Sequence, residues 1–413
     1  MGASQQLEVD DALRIVLAAS GGLGSETLAL DAALGRVLAE DVHAEQALPP
    51  FDSSAMDGFA VRRADLAGAG ADTPVALRVI DESRAGLPAA AGLAAGQAIA
   101  ISTGAIVPVG ADAVVPREQA RREDGVVRVL ERPPAGAHLR HAGEDVPAGA
   151  RALARGTALG PAQLAMLASL GRARVECARA PRVAVLVTGD ELLAPGEPAR
   201  PGAIRESNSH SLGALARCAG ARVAPAVRVP DEPEQTRAAI AGAAADADAL
   251  VICGGMSVGE HDHVRPALEA LGARQLFWGL ALRPGHPTWF GTLDGRPVFG
   301  LPGNPVSAIV TFVLLAGPAL RAMQGAARAG ERGSALLEQP YEKPAGRAHA
   351  LRCSLSLRAD GLYARPTGAQ GSHVLSSMLA ADVLALIPSA VTHVPAGARV
   401  EVEPLHPWTA ALT

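Results

Sequence analysis

The 413-residue chain contains a single lysine, Lys343, and 36 arginines. A P-loop places a lysine on its phosphates, and pyridoxal enzymes hold their cofactor through a lysine Schiff base. Because Lys343 follows no glycine-rich loop and lies in a Pro/Gly-rich stretch, the sequence argues against both classes of chemistry. The simplest explanation of the imbalance is a codon bias that favours arginine, alanine and glycine.

Aromatic residues are also scarce, at 3% of the chain, and the formal net charge is −5. Proteins that bind single-stranded nucleic acid use aromatic side chains as stacking platforms, and nucleic-acid-binding domains generally carry a positive charge. With 49% hydrophobic residues the chain can bury real cores, built mainly from alanine, valine and leucine. The composition therefore argues against nucleic-acid binding and favours two to four folded domains, at roughly 100–200 residues each.

The four cysteines are far apart and form no C-x-x-C pair: Cys177, Cys218, Cys253 and Cys353. This spacing argues against a disulfide framework and a zinc–thiolate site, and it favours a reducing compartment. No apolar run reaches the ~18 residues of a membrane helix, and the N-terminus lacks the basic region of a signal peptide. We therefore expect a cytoplasmic protein without a membrane-spanning segment.

Hydrophobic periodicity divides the first half of the chain into helical and β regions. Apolar residues at helical spacing predict three helices, around residues 9–17, 30–37 and 164–170. Between the second and third, residues 46–146 contain short apolar runs separated by Gly, Pro and Asp, a pattern typical of β-structure. We predict an elongated helical domain made of residues 1–45 and 147–178, with the β domain inserted into it.

The second half of the chain begins with alternating strands and helices. Continuous apolar runs at Val183–Val187 and Leu250–Cys253, and a shorter one within Arg296–Leu301, alternate with helical stretches. Such alternation indicates a parallel α/β sheet, which we assign to residues 179–327. Short strands return in residues 328–413 and predict a small β-barrel or sandwich. The predicted fold class is therefore α/β plus β, multidomain.

Four loops of the α/β region follow predicted strands, at the position where open α/β sheets bind ligands. The first carries Asp190 and Glu191, whose oxygens suit a hard cation, although first-turn acids of a helix would have the same sequence. The second, residues 254–262, combines three glycines with Glu260 and Asp262. The histidines that flank Asp262 have no evident third partner, so we favour a solvated loop there over a transition-metal site.

The third and fourth loops carry features of anion binding. The sequence Arg283-Pro284-Gly285-His286-Pro287 fixes its backbone with two prolines and presents Arg283 and His286, either as an anion clamp or as a rigid turn. In residues 300–307, Asn304 is a good N-cap and Pro305 a good first helical residue, and a glycine-bearing turn into a helix can bind an anion. Together, the four loops predict a site for a phosphate or oxyanion plus a divalent cation.

Three further motifs lie outside the α/β region. Residues 51–61 combine two aspartates with aromatic residues at a domain boundary, and residues 141–146 place Glu144 and Asp145 where the inserted β domain closes. Residues 368–373 form a loop of small residues of the kind that hydrogen-bonds a ligand. Each of these could equally be an ordinary turn, so taken alone they leave the function open.

Eight motifs occur in an order that resembles the molybdopterin molybdenumtransferase family, the bacterial counterpart of the gephyrin E domain. They are P-P-F-D-S-S-A-M-D-G-F-A-V, S-T-G-A, A-G-E-D-V, T-G-D-E-L, a Ser-Asn after Gly-Ala-Ile, G-G-M-S-V-G-E-x-D, R-P-G-x-P and L-P-G-N-P-V-S-A. The resemblance runs from about residue 7 to about residue 405. It implies four domains of the kinds predicted above.

The resemblance also implies an activity. Enzymes of this family insert molybdenum from molybdate into adenylylated molybdopterin and release AMP and molybdenum cofactor, with a divalent cation required. We expect Mg²⁺ in that role, and a homodimer whose cleft lies between the α/β domain of one subunit and the inserted β domain of the other. Other molybdenum cofactor enzymes are further expected partners.

The resemblance assigns roles to individual positions. On the partner-subunit side of the cleft it implies Asp57, Thr103 and Asp145. On the α/β side, where the cation is expected, it implies Asp190, Glu191, Asp231 and Asp262. With the loops described above, the expected substrate-binding residues are Asn208, Gly255, Ser257, Gly259, Arg283, His286, Pro302, Gly303, Asn304, Pro305, Arg352 and Ser372. The expected catalytic residues are Asp57, Asp145, Glu191 and Asp262.

One departure from the family pattern concerns the anion clamp. The usual motif is K-P-G-K-P, whereas this chain has Arg283 and His286 at the two lysine positions. Arginine keeps the charge and can bind an oxyanion through two nitrogens, whereas histidine is cationic only part of the time near pH 7. Codon bias can account for Arg283 but not for His286. We therefore expect a distinctive pH dependence of oxyanion binding.

Three alternative functions remain open from the sequence. The first is adenylyl transfer to molybdopterin, which the α/β region alone would fit, although the additional domains argue against it. The second is a non-catalytic molybdopterin-binding scaffold, which the intact acidic set argues against. The third is a preference for tungstate, since no residue that we can name separates the two oxyanions.

Overall fold

A computed structural model describes residues 6–256 and 262–405. Its first helix, α1 (Val9–Ala19), buries Val9, Ala12, Leu13 and Val16. This spacing places the four side chains on one face of the helix, and Asp10 and Asp11 in the first turn complement the helix dipole. The apolar face packs into the core of the α/β domain, next to helix residues 312–320.

The helix predicted around residues 30–37 is wrong. Ser25–Ala29 forms a strand instead, and only a short 3-10 turn, Leu30–Ala32, follows it. The strand pairs antiparallel with Arg174–Ala178, so a partner distant in sequence overrides the local helical pattern. Val42–His43 pairs in the same way with Arg151–Leu153. This part of the molecule therefore consists of short strands and one helix, α2 (Pro161–Ser169).

The inserted region forms a six-stranded sheet, which confirms the β-structure predicted there. In spatial order its strands are Ala113–Pro116, Gly58–Val61, Gln97–Ile101, Val75–Ser83, Val126–Val129 and Ala120–Glu123. All pairings are antiparallel except that between Gln97–Ile101 and Val75–Ser83. Ser53–Ser54, within the 51–61 motif, pairs antiparallel with Leu139–Arg140 in a separate two-stranded ribbon.

The α/β domain is built on one seven-stranded sheet. Its strands are β1 (Arg182–Thr188), β2 (Arg222–Val223), β3 (Val227–Val229), β4 (Ala249–Cys253), β5 (Arg274–Trp278), β6 (Trp289–Leu293) and β7 (Arg296–Leu301). The main order is β2-β1-β4-β7-β6-β5, and β3 also pairs with β1. β1 pairs in parallel with β2, β3 and β4, and β4 pairs in parallel with β7, as predicted. β6 and β5 extend the sheet in antiparallel fashion; the Asp-Gly turn at residues 294–295 makes the β6–β7 hairpin that the sequence analysis missed.

Helices cover this sheet at the predicted positions: α3 (Asn208–Cys218), α4 (Pro233–Asp246), α5 (Val264–Ala270) and α6 (305–323). Helix α6 runs as Pro305–Thr311, a π-helical turn Phe312–Ala316, and Gly317–Met323. By length and composition this 19-residue helix could span a membrane, although the sequence shows no apolar run of that length. However, most of the helix is buried inside the fold, which is typical of a core helix.

The C-terminal region closes into a five-stranded barrel, the first of the two predicted alternatives. Its strands are Gly333–Leu337, Ala348–Arg358, Gly361–Pro366, Val383–Ile387 and Arg399–Pro404. The barrel closes because Ala348–Arg358 pairs with both Gly361–Pro366 and Val383–Ile387. Leu282–Arg283 of the α/β domain pairs with Ala348 and His349, so the anion-clamp motif is attached directly to the barrel.

Candidate functional site

The ends of the central parallel strands lie side by side. Cys253 at the end of β4 is in register with Val187 of β1 on one side and with Leu301 of β7 on the other. The loops that follow β1, β4 and β7 therefore leave the sheet at the same edge. Together with the clamp motif they enclose a cavity of about 290 Å³, lined by Thr188, Gly189, Glu191, Asp231, Gly254, Gly255, Met256, Asp262, Pro287, Pro302 and Gly303.

Carboxylates occupy one side of this cavity. Glu191, Asp231 and Asp262 line it directly, as the acidic set predicted from the sequence requires. Asp190 is tied to Asp231 by two reciprocal hydrogen bonds. The Asp190 N–H donates to Asp231 Oδ2 at 3.3 Å, and the Asp231 N–H donates to Asp190 Oδ1 at 3.2 Å. The loop after β1 and the residues after β3 are therefore held together at the cavity.

The four acids are not assembled into a preformed metal cluster. Within residues 6–256 and 262–405, no three or more His, Cys, Asp or Glu side chains come together in a way that could hold a metal ion. Mg²⁺ usually keeps several waters and is bound by one or two carboxylates plus substrate phosphates. Three oxygen-bearing side chains around an open cavity fit that mode of binding, whereas they would not fit an all-protein cage.

Glycines allow the loop after β4 to approach β1 closely. A Cβ on Gly254, which has a φ of +96°, would lie 2.7 Å from Thr188 Oγ1 and 2.8 Å from the Thr188 carbonyl oxygen. A Cβ on Gly255, with a φ of +61°, would lie 2.6 Å from Val264 Cγ2. Both positions therefore require glycine, and the backbone of this loop forms part of the cavity wall. The predicted residues Ser257 and Gly259, with Glu260 and His261, lie outside the described residues.

A network of side-chain hydrogen bonds holds Pro302 and Gly303, which line the cavity after β7. Asn208, the first residue of α3, donates from Nδ2 to the Gly303 carbonyl oxygen at 2.8 Å and to Cys253 Sγ at 3.1 Å. The Cys253 thiol in turn donates to the Pro302 carbonyl oxygen at 3.2 Å. In the sequence Cys253 stands out only as an isolated cysteine. Its position as the last residue of a buried strand that ends beside the loops was the signal that could have identified it.

The C-terminal barrel contributes the loop that carries Ser372. Asn304 Nδ2 donates to Ser372 Oγ at 3.4 Å, which brings the loop to the start of α6. Arg352 is completely buried beneath it and donates to the carbonyl oxygens of Ala369 and Gly371 at 3.3 and 3.1 Å. Arg352 therefore supports the loop from below. Its Nη1 is buried without a hydrogen-bond partner among the described residues.

Arg283 and His286 flank the cavity and do not line it. Arg283 is exposed and lies in register with His349 of the barrel, where it contributes, after burial and Lys343, to lowering the pKa of His349 to about 4. His286 Nδ1 lies 2.9 Å from the Leu280 carbonyl oxygen, so this nitrogen carries a proton. The His286 ring also packs edge-on against Trp278, at 5.9 Å between centroids. Only Pro287 of the clamp motif reaches the cavity wall.

The three residues predicted on the inserted β domain do not line the cavity of their own chain. Asp57 Oδ1 accepts hydrogen bonds from the Thr103 N–H at 2.7 Å and from Thr103 Oγ1 at 2.9 Å. These bonds, and the charge of Arg117, lower the pKa of Asp57 and keep it ionised. Asp145 follows the turn at residues 141–144, and its N–H donates to the Leu48 carbonyl oxygen at 3.1 Å.

A larger cavity, of about 600 Å³, lies between α3, α6 and the barrel. Its wall includes Phe312, Arg321, Arg332 and Glu403, and none of the predicted site residues. Burial raises the pKa of Glu403 to about 6, although the nearby Arg321 opposes that shift. The smaller cavity is the candidate site because it combines the strand ends, the glycine loops and the carboxylates.

Comparisons with known proteins identify the family. The family model "MoeA N-terminal region (domain I and II)" matches residues 7–171, "Probable molybdopterin binding domain" matches residues 184–322, and "MoeA C-terminal region (domain IV)" matches residues 334–405. A molybdopterin molybdenumtransferase of Haemophilus influenzae is 36% identical over 386 residues, covering 92% of this chain and 94% of that protein. Molybdopterin molybdenumtransferase 2 of Mycobacterium tuberculosis is 38% identical over 382 residues, covering 91% of this chain and 94% of that protein.

The fold leads to the same family. A crystal structure of the molybdopterin biosynthesis moeA protein from Pyrococcus horikoshii OT3 superposes with a TM-score of 0.84 at 31% sequence identity. The superposition covers 97% of this chain and all of that one. The chain therefore belongs to the molybdopterin molybdenumtransferase family and is a transferase of molybdenum cofactor biosynthesis.

Proposed function

We propose that this enzyme inserts molybdenum from molybdate into adenylylated molybdopterin and releases AMP and molybdenum cofactor. The observation that carries the proposal is the cavity at the strand ends, which is lined both by three carboxylates and by the glycine-bearing loops that follow β1, β4 and β7. Such loops suit phosphate oxygens, and the carboxylates suit a cation that accompanies them. A pyrophosphate-bearing pterin substrate requires both.

Mg²⁺, where bound, would be held by Glu191 with Asp231 or Asp262, and it would neutralise the charge on the pyrophosphate oxygens. Asp190 orients this acidic side through its two hydrogen bonds to Asp231. The first turn of α6, after Asn304 and Pro305, directs the backbone N–H groups of Val306 and Ser307 out of the helix, where they can donate to phosphate oxygens. The chain's own contribution is thus to hold the pyrophosphate in a fixed orientation for cleavage.

Molybdate, as the second substrate, would be held between the clamp motif and the barrel. Arg283 supplies a permanent positive charge, and the exposed loop carrying Ser372 supplies a hydroxyl group. Because the Leu280 carbonyl oxygen occupies His286 Nδ1, only Nε2 of His286 can donate to an anion, and only in the protonated ring.

A second copy of the chain would complete the site. Asp57, Thr103 and Asp145 do not line the cavity of their own chain, which supports a homodimer in which they face the partner's cavity. Asp57 is held ionised by Thr103, so it could accept a hydrogen bond from substrate or from a cation-bound water. We place the enzyme in the cytoplasm, the reducing compartment that its dispersed free cysteines suit.

The test is to supply adenylylated molybdopterin, Mg²⁺ and either molybdate or tungstate, and to measure AMP release. Glu191→Gln should abolish AMP release, whereas Glu118→Gln, on an exposed turn of the inserted domain, should leave it unchanged. Normal turnover by Glu191→Gln would refute the proposed role of the acidic side. Formation of adenylylated product from ATP and molybdopterin would favour adenylyl transfer, and pterin binding without AMP release would favour the scaffold.

A further inference from the structure

The chain leaves the central sheet at Leu301 and must turn sharply to enter α6. The last backbone bond of the ladder is the Gly254 N–H donating to the Leu301 carbonyl oxygen at 3.1 Å. The next two carbonyl groups, those of Pro302 and Gly303, are instead held by side chains. The geometry of these two cavity-lining residues therefore depends on the groups that bind their oxygens.

Cys253 contributes to holding both carbonyl groups, one directly and one through Asn208. Its thiol donates to the Pro302 carbonyl oxygen and accepts from Asn208 Nδ2, and the same Asn208 nitrogen donates to the Gly303 carbonyl oxygen. Because the Gly303 carbonyl oxygen can only accept a hydrogen bond, the Nδ2 atom of Asn208, and not its Oδ1 atom, must face it. The side chain of Cys253 is 2% exposed, and burial raises the pKa of its thiol to about 12. The thiol therefore keeps the proton that it donates.

We propose that Cys253 is a positioning residue for the pterin-nucleotide substrate, acting through Asn208 and the Pro302–Gly303 turn. The proposal rests on the proposed function and on the expectation from the sequence that Asn208, Pro302 and Gly303 contact the substrate; of these, Pro302 and Gly303 line the cavity. The thiol holds the Pro302 carbonyl oxygen directly and anchors the Asn208 amide beside the Gly303 carbonyl oxygen, so it holds both ends of the turn in one conformation. The wall of the cavity is then already ordered before the substrate binds, so binding does not bear the entropic cost of ordering it.

The chemistry of the side chain sets what could replace it. Serine would keep one donor and one acceptor at this position, although its hydroxyl group reaches less far than a thiol. Valine is larger than cysteine by about one methyl group, so it would fill the space without either function. Alanine would leave the Pro302 carbonyl oxygen and one Asn208 hydrogen without a partner, in a place with little room for water. The three variants therefore separate hydrogen bonding from packing.

The experiment compares Cys253→Ser, Cys253→Val and Cys253→Ala with the wild type in molybdate-dependent AMP release. We expect KM for adenylylated molybdopterin to rise about tenfold in the valine and alanine variants, while kcat changes by less than about threefold. The serine variant should stay within about threefold of the wild type for both constants. Cys177→Ala is the matched control, because Cys177 is also fully buried but lies away from the cavity. It packs in a separate core with Ala33, Leu38, Val42, Leu159, Leu167 and Val175. This variant should lower the unfolding midpoint without changing KM.

A KM in Cys253→Ala or Cys253→Val equal to that of the wild type would overturn the proposal, as would a serine variant no better than valine. Should the wild type bind adenylylated molybdopterin without releasing AMP, the proposed function fails but the Kd for that compound replaces KM in the same comparison. A wild type that neither binds nor turns over the compound would remove both the function and this inference.

Discussion

Replacing Gly254 with alanine tests whether the close approach of the β4 loop to β1 is needed for the site. The new Cβ would meet Thr188 Oγ1 at 2.7 Å and the Thr188 carbonyl oxygen at 2.8 Å, both well inside normal contact. The Thr188 carbonyl belongs to a buried central strand, so relief requires the ends of β1 and β4 to separate. Overpacking of this kind costs about 1–3 kcal/mol, and an unfavourable positive φ adds about 1–2 kcal/mol.

Gly272→Ala provides the matched control in the same domain. Gly272 also has a positive φ, of +82°, but a Cβ there would meet nothing within 4 Å. This variant should therefore lose only the conformational part, about 1–2 kcal/mol, whereas Gly254→Ala should lose about 2–5 kcal/mol. The difference between the two variants isolates the steric clash from the backbone strain.

The assay is urea unfolding followed by tryptophan fluorescence, combined with AMP release. Two of the three tryptophans, Trp278 and Trp289, lie in the α/β domain, so the signal includes the part of the molecule that is perturbed. Gly254→Ala should also raise KM for the pterin nucleotide at temperatures where it remains folded, and Gly272→Ala should not. Equal unfolding midpoints for the two variants would refute the steric reasoning.

Three further predictions follow from the structure: two concern the pH dependence of stability, and the third concerns one hydrogen bond at the cavity. Burial raises the pKa of Glu403 from 4.5 to about 6. The stability that its protonated form contributes is therefore complete below pH 4.5 and is lost as the pH rises through about 6. Glu403→Gln should abolish this change in the free energy of unfolding, which is worth about 2 kcal/mol, when unfolding is measured across this pH range. Burial lowers the pKa of His349 from 6.5 to about 4, so its contribution is complete above pH 6.5 and is lost as the pH falls through about 4. His349→Gln should therefore flatten the acid side of the stability profile, and an unchanged acid side would contradict the burial argument. The Trp278 indole N–H donates to the Met256 carbonyl oxygen at 3.1 Å; Trp278→Phe should raise KM for the pterin nucleotide several-fold, about 1 kcal/mol, and a KM equal to that of the wild type would show that this bond does not support the loop.

The elements that the sequence predicted correctly are those whose local pattern and tertiary environment agree. β1 and β4 are continuous apolar runs and are buried on both faces, so their composition reflects their position in the sheet. The helix predicted around residues 30–37 is wrong because the apolar spacing there is only locally helical. The strand just before it, Ser25–Ala29, pairs with Arg174–Ala178, a segment about 150 residues away that the local pattern does not reveal. The β6–β7 hairpin could have been read from its Asp-Gly turn.

The candidate site shows the same division. Asp190, Glu191 and the glycines after β4 stand out in the sequence because turns and carboxylates at strand ends have a recognisable composition. Cys253 does not stand out, because its role consists of contacts with Asn208 and Pro302, which are 45 and 49 residues away. Similarly, Arg352 reads as a substrate-binding cation in the sequence, whereas the structure buries it beneath the loop that carries Ser372.

The sequence by itself determined the family, the order of the domains and the chemical types of the loops. These properties are local: motifs, apolar runs and turn residues are each contained in a few consecutive positions. Only the tertiary structure decided which loops share a cavity, that the Nδ1 atom of His286 faces the Leu280 carbonyl oxygen, and that Cys253 bonds to both Asn208 and Pro302. The physical reason is that contacts between distant residues follow from strand register and packing, which neither composition nor spacing specifies.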